Sequence, residues 1–89
     1  MYTMDVIDIT VDGETVVIEQ GDTFTVNTAL EFGLNQVVFE PGETITVDRI
    51  VDTPGGISFE LTSDTEEETY SIDQFALELD LENDHLSYE

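Results

Sequence analysis

The sequence predicts an all-β fold, a small antiparallel barrel or sandwich of about seven short strands with one or two single-turn helices. Three observations carry this. Apolar residues alternate with polar ones at a period of two over most of the chain, beginning with Ile7-Asp8-Ile9-Thr10-Val11. Turn signals such as Asp12-Gly13, Gly21-Asp22, Pro41-Gly42 and Pro54-Gly55 punctuate these runs. The chain has 89 residues, 39% of them hydrophobic, which supports one modest core and leaves no room for a second.

The first hairpin is expected over residues 4–11 and 14–19. Asp12-Gly13 lies between two alternating runs, and a two-residue hairpin turn favours this pair because both positions adopt positive φ. Gln20-Gly21-Asp22 turns the chain into a third strand, Thr23 to Asn27, with Phe24 and Val26 inward. Thr28-Ala29-Leu30-Glu31 has the form of a capping box, and Gly33 is placed to close one helical turn or an ordered loop. Strands resume from Gln36 to Phe39, and Pro41-Gly42 leads into the longest strand, Glu43 to Asp52, with Ile45 and Val47 inward. The next apolar position after Val47 is Ile50, and that three-residue step places a bulge near Asp48-Arg49. Thr53-Pro54-Gly55-Gly56 turns into a strand with Ile57, Phe59 and Leu61 inward, residues 64–68 form a polar loop, and Tyr70 and Ile72 follow. Ser71-Ile72-Asp73-Gln74 reads as a single helical turn. The last strand is expected from Phe75 to Glu82, where Phe75, Leu77, Leu79 and Leu81 alternate strictly with Ala76, Glu78, Asp80 and Glu82. The result is one β domain over residues 1–82, with 83–89 as a flexible tail or a short edge extension.

From Gly42 to Leu81 the expected order is a long bulged strand, a hairpin, a strand, one helical turn and a final strand. In that order the second half of the chain resembles a small SH3-like barrel. The resemblance implies a scaffold used for many functions, the binding of peptides and nucleic acids among them. The sequence also echoes itself. Val16-Val17-Ile18-Glu19-Gln20-Gly21-Asp22-Thr23-Phe24-Thr25-Val26 parallels Val37-Val38-Phe39-Glu40-Pro41-Gly42-Glu43-Thr44-Ile45-Thr46-Val47 at a spacing of 21 residues. Either two similar hairpins share one composition or one hairpin has been duplicated. Neither implies a repeat array.

Charge dominates the composition. Twenty-two Asp and Glu stand against a single Arg and no Lys, for a formal net charge of −21. At physiological ionic strength, with a Debye length of about 8 Å, such a charge pushes the compact state apart; at 1 M salt the length is about 3 Å and most of the repulsion is screened. A lysine stem would cover apolar surface with methylenes, whereas a carboxylate presents only a hydrated head. This acid-rich, lysine-free composition resembles that of haloarchaeal proteins and of small acidic proteins of their viruses. It implies the cytoplasm of a halophilic host, or a virion, as the place of action. A nucleic-acid mimic and an acidic calcium-binding module compete as explanations for the acids, while the clean alternation argues against a disordered acidic chain. No cysteine is present, so disulfides and thiolate metal sites are excluded. No apolar run approaches a membrane span, and residues 1–10 lack the basic start of a secretory signal, so no membrane partner is expected.

No catalytic constellation emerges, and no enzymatic activity is expected. A nucleophilic triad needs a histidine set between an acid and a nucleophile, but the single histidine, His85, falls in the expected tail as an exposed polar residue. One histidine cannot build a zinc site. Carboxylate pairs can be drawn almost anywhere among so many acids, which leaves none singled out. Gly55-Gly56 follows a proline with no helix opening after it, unlike a phosphate-cradling loop. Asp80-Leu81-Glu82-Asn83-Asp84 starts like an EF-hand loop, but His85 stands where that loop requires glycine and no closing glutamate follows at its twelfth position. No cofactor and no specific metal are expected, only weak holding of K⁺ or Na⁺ by surface acids. The run Glu66-Glu67-Glu68 reads as a solvated hairpin tip. Arg49 alone cannot neutralise a phosphate track, so direct nucleic-acid binding is not expected. Pairing of Arg49 with Asp48 or Asp52, or with a partner protein, is expected instead.

The functional signal lies in residues that the acid bias does not explain. Ala29, Leu30, Phe32 and Leu34 are apolar outside any period-two strand. They form either a lid on the open end of the barrel or a protein-contact patch, and with Arg49 they make up the candidate contact set. Salting-out ions strengthen apolar burial, which suits such a patch to high salt. The expected function is that of a non-catalytic structural or interaction module packing against protein subunits, in an oligomer or larger assembly. A head, head–tail connector or tail component of a virion is one concrete form. The alternative is an SH3-like regulatory binding module, or an accessory to a nucleic-acid process that acts through protein contacts.

Overall fold

A computed structural model describes residues 2–32, 37–64 and 69–88; the side chains of Tyr2, Glu31, Phe32, Val37 and Val38 are outside the description. Among these residues the chain is all-β with a single helix, in the order β1 (Tyr2–Met4), β2 (Val6–Val11), β3 (Glu14–Glu19), β4 (Thr23–Val26), β5 (Leu30–Phe32), β6 (Val37–Phe39), β7 (Thr44–Thr53), β8 (Gly56–Ser63), β9 (Thr69–Asp73), α1 (Gln74–Glu82) and β10 (Leu86–Tyr88). One antiparallel sheet runs β10-β4-β7-β8-β9, with β1 also paired to β7, and the hairpins β2–β3 and β5–β6 stand beside it. The inward residues of all these parts meet in one core. Phe24, Ile45, Val47, Ile50, Phe59 and Leu61 of the sheet pack with Ile9 and Ile18 of one hairpin, Leu30 and Phe39 of the other, and Leu77 of the helix.

Local chemistry accounts for most of these elements. Asp12 and Gly13 have φ of 52° and 79°, the left-handed pair that a two-residue hairpin turn requires. The expected first strand is divided at Asp5: β1 pairs with the far half of β7, Thr3 opposite Val51, while β2 leaves that sheet to pair with β3. The strand count therefore exceeds the expected seven. β7 is the longest strand, and the bulge lies where the three-residue step placed it, between Val47 and Arg49. Gln20 Nε2 donates to the carbonyl of Asp48 at 3.0 Å, satisfying a group that the bulge takes out of the ladder.

The 21-residue echo is also an echo in space. β4 and β7 pair antiparallel with Phe24 opposite Ile45, Thr23 opposite Thr46 and Thr25 opposite Thr44, so equivalent residues lie symmetrically about the Phe24–Ile45 pair. The flanking bonds repeat with the roles exchanged. Gly21 N donates to Val47 O and Gly42 N to Val26 O, each at 2.8 Å; Val47 N donates to Asp22 O at 2.8 Å and Val26 N to Glu43 O at 2.9 Å. The two turn glycines match as well, with φ of 94° and 96°. Within each turn the acidic side chain bonds back three residues, Glu19 N to Asp22 Oδ2 and Glu40 N to Glu43 Oε2. The two units thus clasp each other about a local pseudo-twofold axis.

Two expectations are corrected. Phe75 to Glu82 is not a strand: α1 covers it, starting from Asp73, whose carboxylate accepts the Ala76 N–H at 2.7 Å. Gln74 to Glu82 contains no β-branched residue, and its Gln, Ala, Leu and Glu are strong helix formers. The predicted helical turn near residue 73 is therefore the start of a nine-residue helix. Thr28 to Glu31 opens no helix: Leu30 begins β5 and pairs opposite Phe39. A one-turn helix fixes several residues for one hydrogen bond, and burying Leu30 against the core outweighs it. Gly33 and Leu34, and residues 65–68 of the expected polar loop, lie outside the described residues. Of the two expectations for residues 83–89, the edge extension is the one seen: Leu86–Tyr88 forms the edge strand β10 against β4, with Leu86 buried. Over Gly42 to Leu81, the span that resembles an SH3-like barrel in sequence, the order is a bulged long strand, a hairpin, a strand and a helix, with α1 in place of the expected final strand.

Candidate functional site

The helix that replaces the expected last strand creates a surface feature that acidity does not explain. With 3.6 residues per turn, the alternating apolar residues split into two stripes on opposite faces. Leu77 is fully buried and Leu81 partly so, whereas Phe75 is 70% exposed and Leu79 40%. Residues four apart are neighbours on a helix, so Phe75 and Leu79 form one apolar strip facing water.

Carboxylates hold this helix in place. Glu78 Oε2 accepts from Thr10 N at 3.1 Å and from Gln74 Nε2 at 3.1 Å, and Glu82 Oε2 accepts from Asp12 N at 3.3 Å. Thr10 and Asp12 point their N–H groups away from β3. Donors two residues apart along an extended strand are about 6.8 Å apart, and glutamates four apart on a helix about 6 Å. The match lets α1 cover the free edge of β2, which would otherwise invite strand pairing. These two acids are part of the fold as well as of the solvent-facing charge.

Next to the apolar strip lies a cleft of about 390 Å³, lined by Gly55, Gly56, Ile57, Asp73, Gln74, Phe75 and Glu78. Its far wall is the β7–β8 turn, braced by Thr53 Oγ1, which donates to Gly56 O at 2.7 Å and accepts from Gly55 N at 3.2 Å. Gly56, at φ 122°, occupies backbone space that side chains rarely adopt. Gly55 and Gly56 present bare backbone, so Phe75, Ile57, the Gln74 amide and the two carboxylates supply the chemistry of the cleft.

The contact set expected from the sequence is not brought together among the described residues. Leu30 is only 7% exposed and belongs to the core. Ala29 is exposed ahead of β5, Phe32 ends β5, and Leu34 lies outside the described residues. Arg49 is exposed on β7, and its expected ion pair with Asp48 or Asp52 is not formed. Its cross-strand neighbour is Glu60. His85 is half-buried, not an exposed tail residue: its Nδ1 lies 3.3 Å from Asp80 Oδ1, and its carbonyl accepts from Asn27 N at 2.8 Å. Among the described residues no group of three or more His, Asp or Glu is arranged to hold a metal ion, and no helix is long and apolar enough to cross a membrane.

Sequence reasoning missed Phe75 and Leu79 because it assigned both to the inward face of a strand. The available signal was Asp73 as a cap in front of a run without β-branched residues. Comparison of the chain with protein-family models, with curated proteins and with solved structures finds no match.

Proposed function

We propose that this chain is a non-catalytic interaction module of a high-salt system, docking onto a protein subunit through the Phe75–Leu79 face of α1. The supporting observation is the exposed pair itself: Phe75, the most exposed large apolar side chain among the described residues, and Leu79 share one face of a helix fixed by its cap and by two glutamates. Salting-out conditions strengthen apolar contacts and screen the surrounding charge, so an apolar centre with an acidic rim suits an interface in molar salt. A virion component, as a head, connector or tail subunit, is one setting, and a subunit of a cellular complex is another. The cleft beside Phe75 favours a second reading, a regulatory module that takes up a peptide segment.

The test is co-sedimentation of the tagged chain with particles or partner subunits from its source cells at about 2–3 M KCl, where charge is screened. Phe75→Asp together with Leu79→Asp should abolish association and leave the circular dichroism unchanged, since neither side chain is in the core. Leu30→Ala should instead destabilise the fold by about 2–5 kcal/mol. A chain that stays monomeric and unassociated, or a double variant that associates as before, would sink the reading.

A further inference from the structure

We infer that the cleft beside Phe75 receives a cationic side chain, arginine or lysine, carried on an apolar segment of a partner protein. This rests on the docking reading above and adds the chemistry of the occupant. Three features converge on it. Phe75 lines the cleft with a ring open to solvent, a surface to which a guanidinium or ammonium group is attracted. Asp73 and Glu78 line the same cleft. Both are already oriented, Asp73 Oδ1 by the Ala76 N–H and Glu78 Oε2 by Thr10 N and Gln74 Nε2, yet each carboxylate keeps an oxygen for which no bond is seen among the described residues. Leu79 continues the apolar strip one helical turn away, about 6 Å along the axis, a seat for an apolar neighbour of the cation.

Charge complementarity selects the partner over a second copy of this chain. A second copy would bring another net charge of −21 and offer Arg49 as its only arginine or lysine. Arg49 lies beside exposed Asp48 and across the ladder from Glu60, so its surroundings repel the cleft carboxylates. A cation from another protein meets no such opposition. Molar salt sharpens the discrimination. With a Debye length of about 3 Å at 1 M, attraction to the whole acidic surface is lost, while a contact pair with the part-buried Glu78 carboxylate is screened less.

The test is a titration of the isotope-labelled chain at about 2 M KCl, followed by amide chemical shifts, a concentration chosen because the Debye length falls to about 2 Å and non-specific binding is suppressed. The probe is acetyl-Leu-Arg-Arg-Leu-amide, with acetyl-Leu-Gln-Gln-Leu-amide as its neutral counterpart. Shifts should concentrate at Gly55, Gly56, Ile57, Gln74, Phe75 and Leu79. Phe75→Ala, which favours the helix, should weaken binding of the arginine peptide by about fivefold or more. Asp73→Asn, which keeps a good cap and removes the charge, should weaken the arginine peptide and leave the neutral one unchanged. If both peptides bind equally and both depend on Phe75, the cationic occupant is refuted while the docking face stands. Shifts spread over the acidic surface, or binding indifferent to Phe75, would overturn both.

Discussion

Asp22 shows how one of many surface carboxylates acquires a structural role. Its Oδ2 accepts the Glu19 N–H and the Tyr88 hydroxyl, each at 2.7 Å, and the same hydroxyl lies 3.0 Å from Val17 O. Tyr88 also packs its ring against Phe24, with centroids 5.4 Å apart. The hydrogen bond to Asp22, then burial, then the charges of Asp22 and Glu19 push the phenol pKa up from 10.0 to about 12. A group whose pKa is raised on folding contributes stability that is intact below its unfolded pKa and is lost as pH rises through the folded one. In urea unfolding at constant molar KCl, stability should hold to about pH 10 and decline between about pH 10 and 12. Tyr88→Phe should remove this component of the decline; an identical pH profile in the variant would refute the assignment. Glu43, the counterpart of Asp22 in the echo, is 9% exposed and takes the Ser63 hydroxyl at 2.7 Å. Neither pairing is legible in the sequence. Tyr88 lies 66 residues from Asp22 and Ser63 lies 20 from Glu43, among acids that look alike.

Among the elements, α1 carries most of the information. Removing its cap by Asp73→Ala should cost about 1 kcal/mol and reduce helical content, read by thermal melting and circular dichroism in molar KCl. A melting point unchanged from the wild type would show the cap to be idle. The glutamates that cover the β2 edge make a separate prediction. In the variant Glu78→Ala, Glu82→Ala the amides of Thr10 and Asp12 should exchange with solvent faster, while those of Ile7 and Ile9, which lie in the β2–β3 ladder, keep their protection. Uniform loss of protection would mean that the hairpin as a whole had opened. The strands were legible because each is local: Asp12-Gly13 dictates its turn, and the step from Val47 to Ile50 dictates its bulge. The helix was not, because Leu77 and Leu81 lie on a common face in either a helix or a strand.

For the whole molecule, the charge of −21 falls on a fold only 89 residues long. Each exposed carboxylate repels its neighbours over about 8 Å at physiological ionic strength and about 3 Å at 1 M. The chain should therefore be unfolded in dilute buffer at pH 7 and fold cooperatively as KCl rises toward molar concentration, followed by tyrosine fluorescence and far-ultraviolet circular dichroism. Native spectra and cooperative melting in dilute buffer would refute this. Order within the molecule comes from the two clasped units, which place Phe24 and Ile45 opposite each other in the sheet and tie it to the turns at Gly21 and Gly42.

By itself the sequence determined what depends on neighbours along the chain: the all-β class, the hairpin turns, the bulge, and a net charge of −21. Tertiary structure decided what depends on distant partners: the burial of Leu30 opposite Phe39, the capture of Tyr88 by Asp22, and the pairing of the two echo units. It also decided the fate of Phe75 and Leu79. In a strand they would share the inward face with Leu77 and Leu81; in a helix they face the other way. Residues four apart lie on one face at either period, so the apolar pattern alone could not choose. The cap at Asp73 and the open edge of β2 chose the helix, and that choice put an apolar strip on the surface.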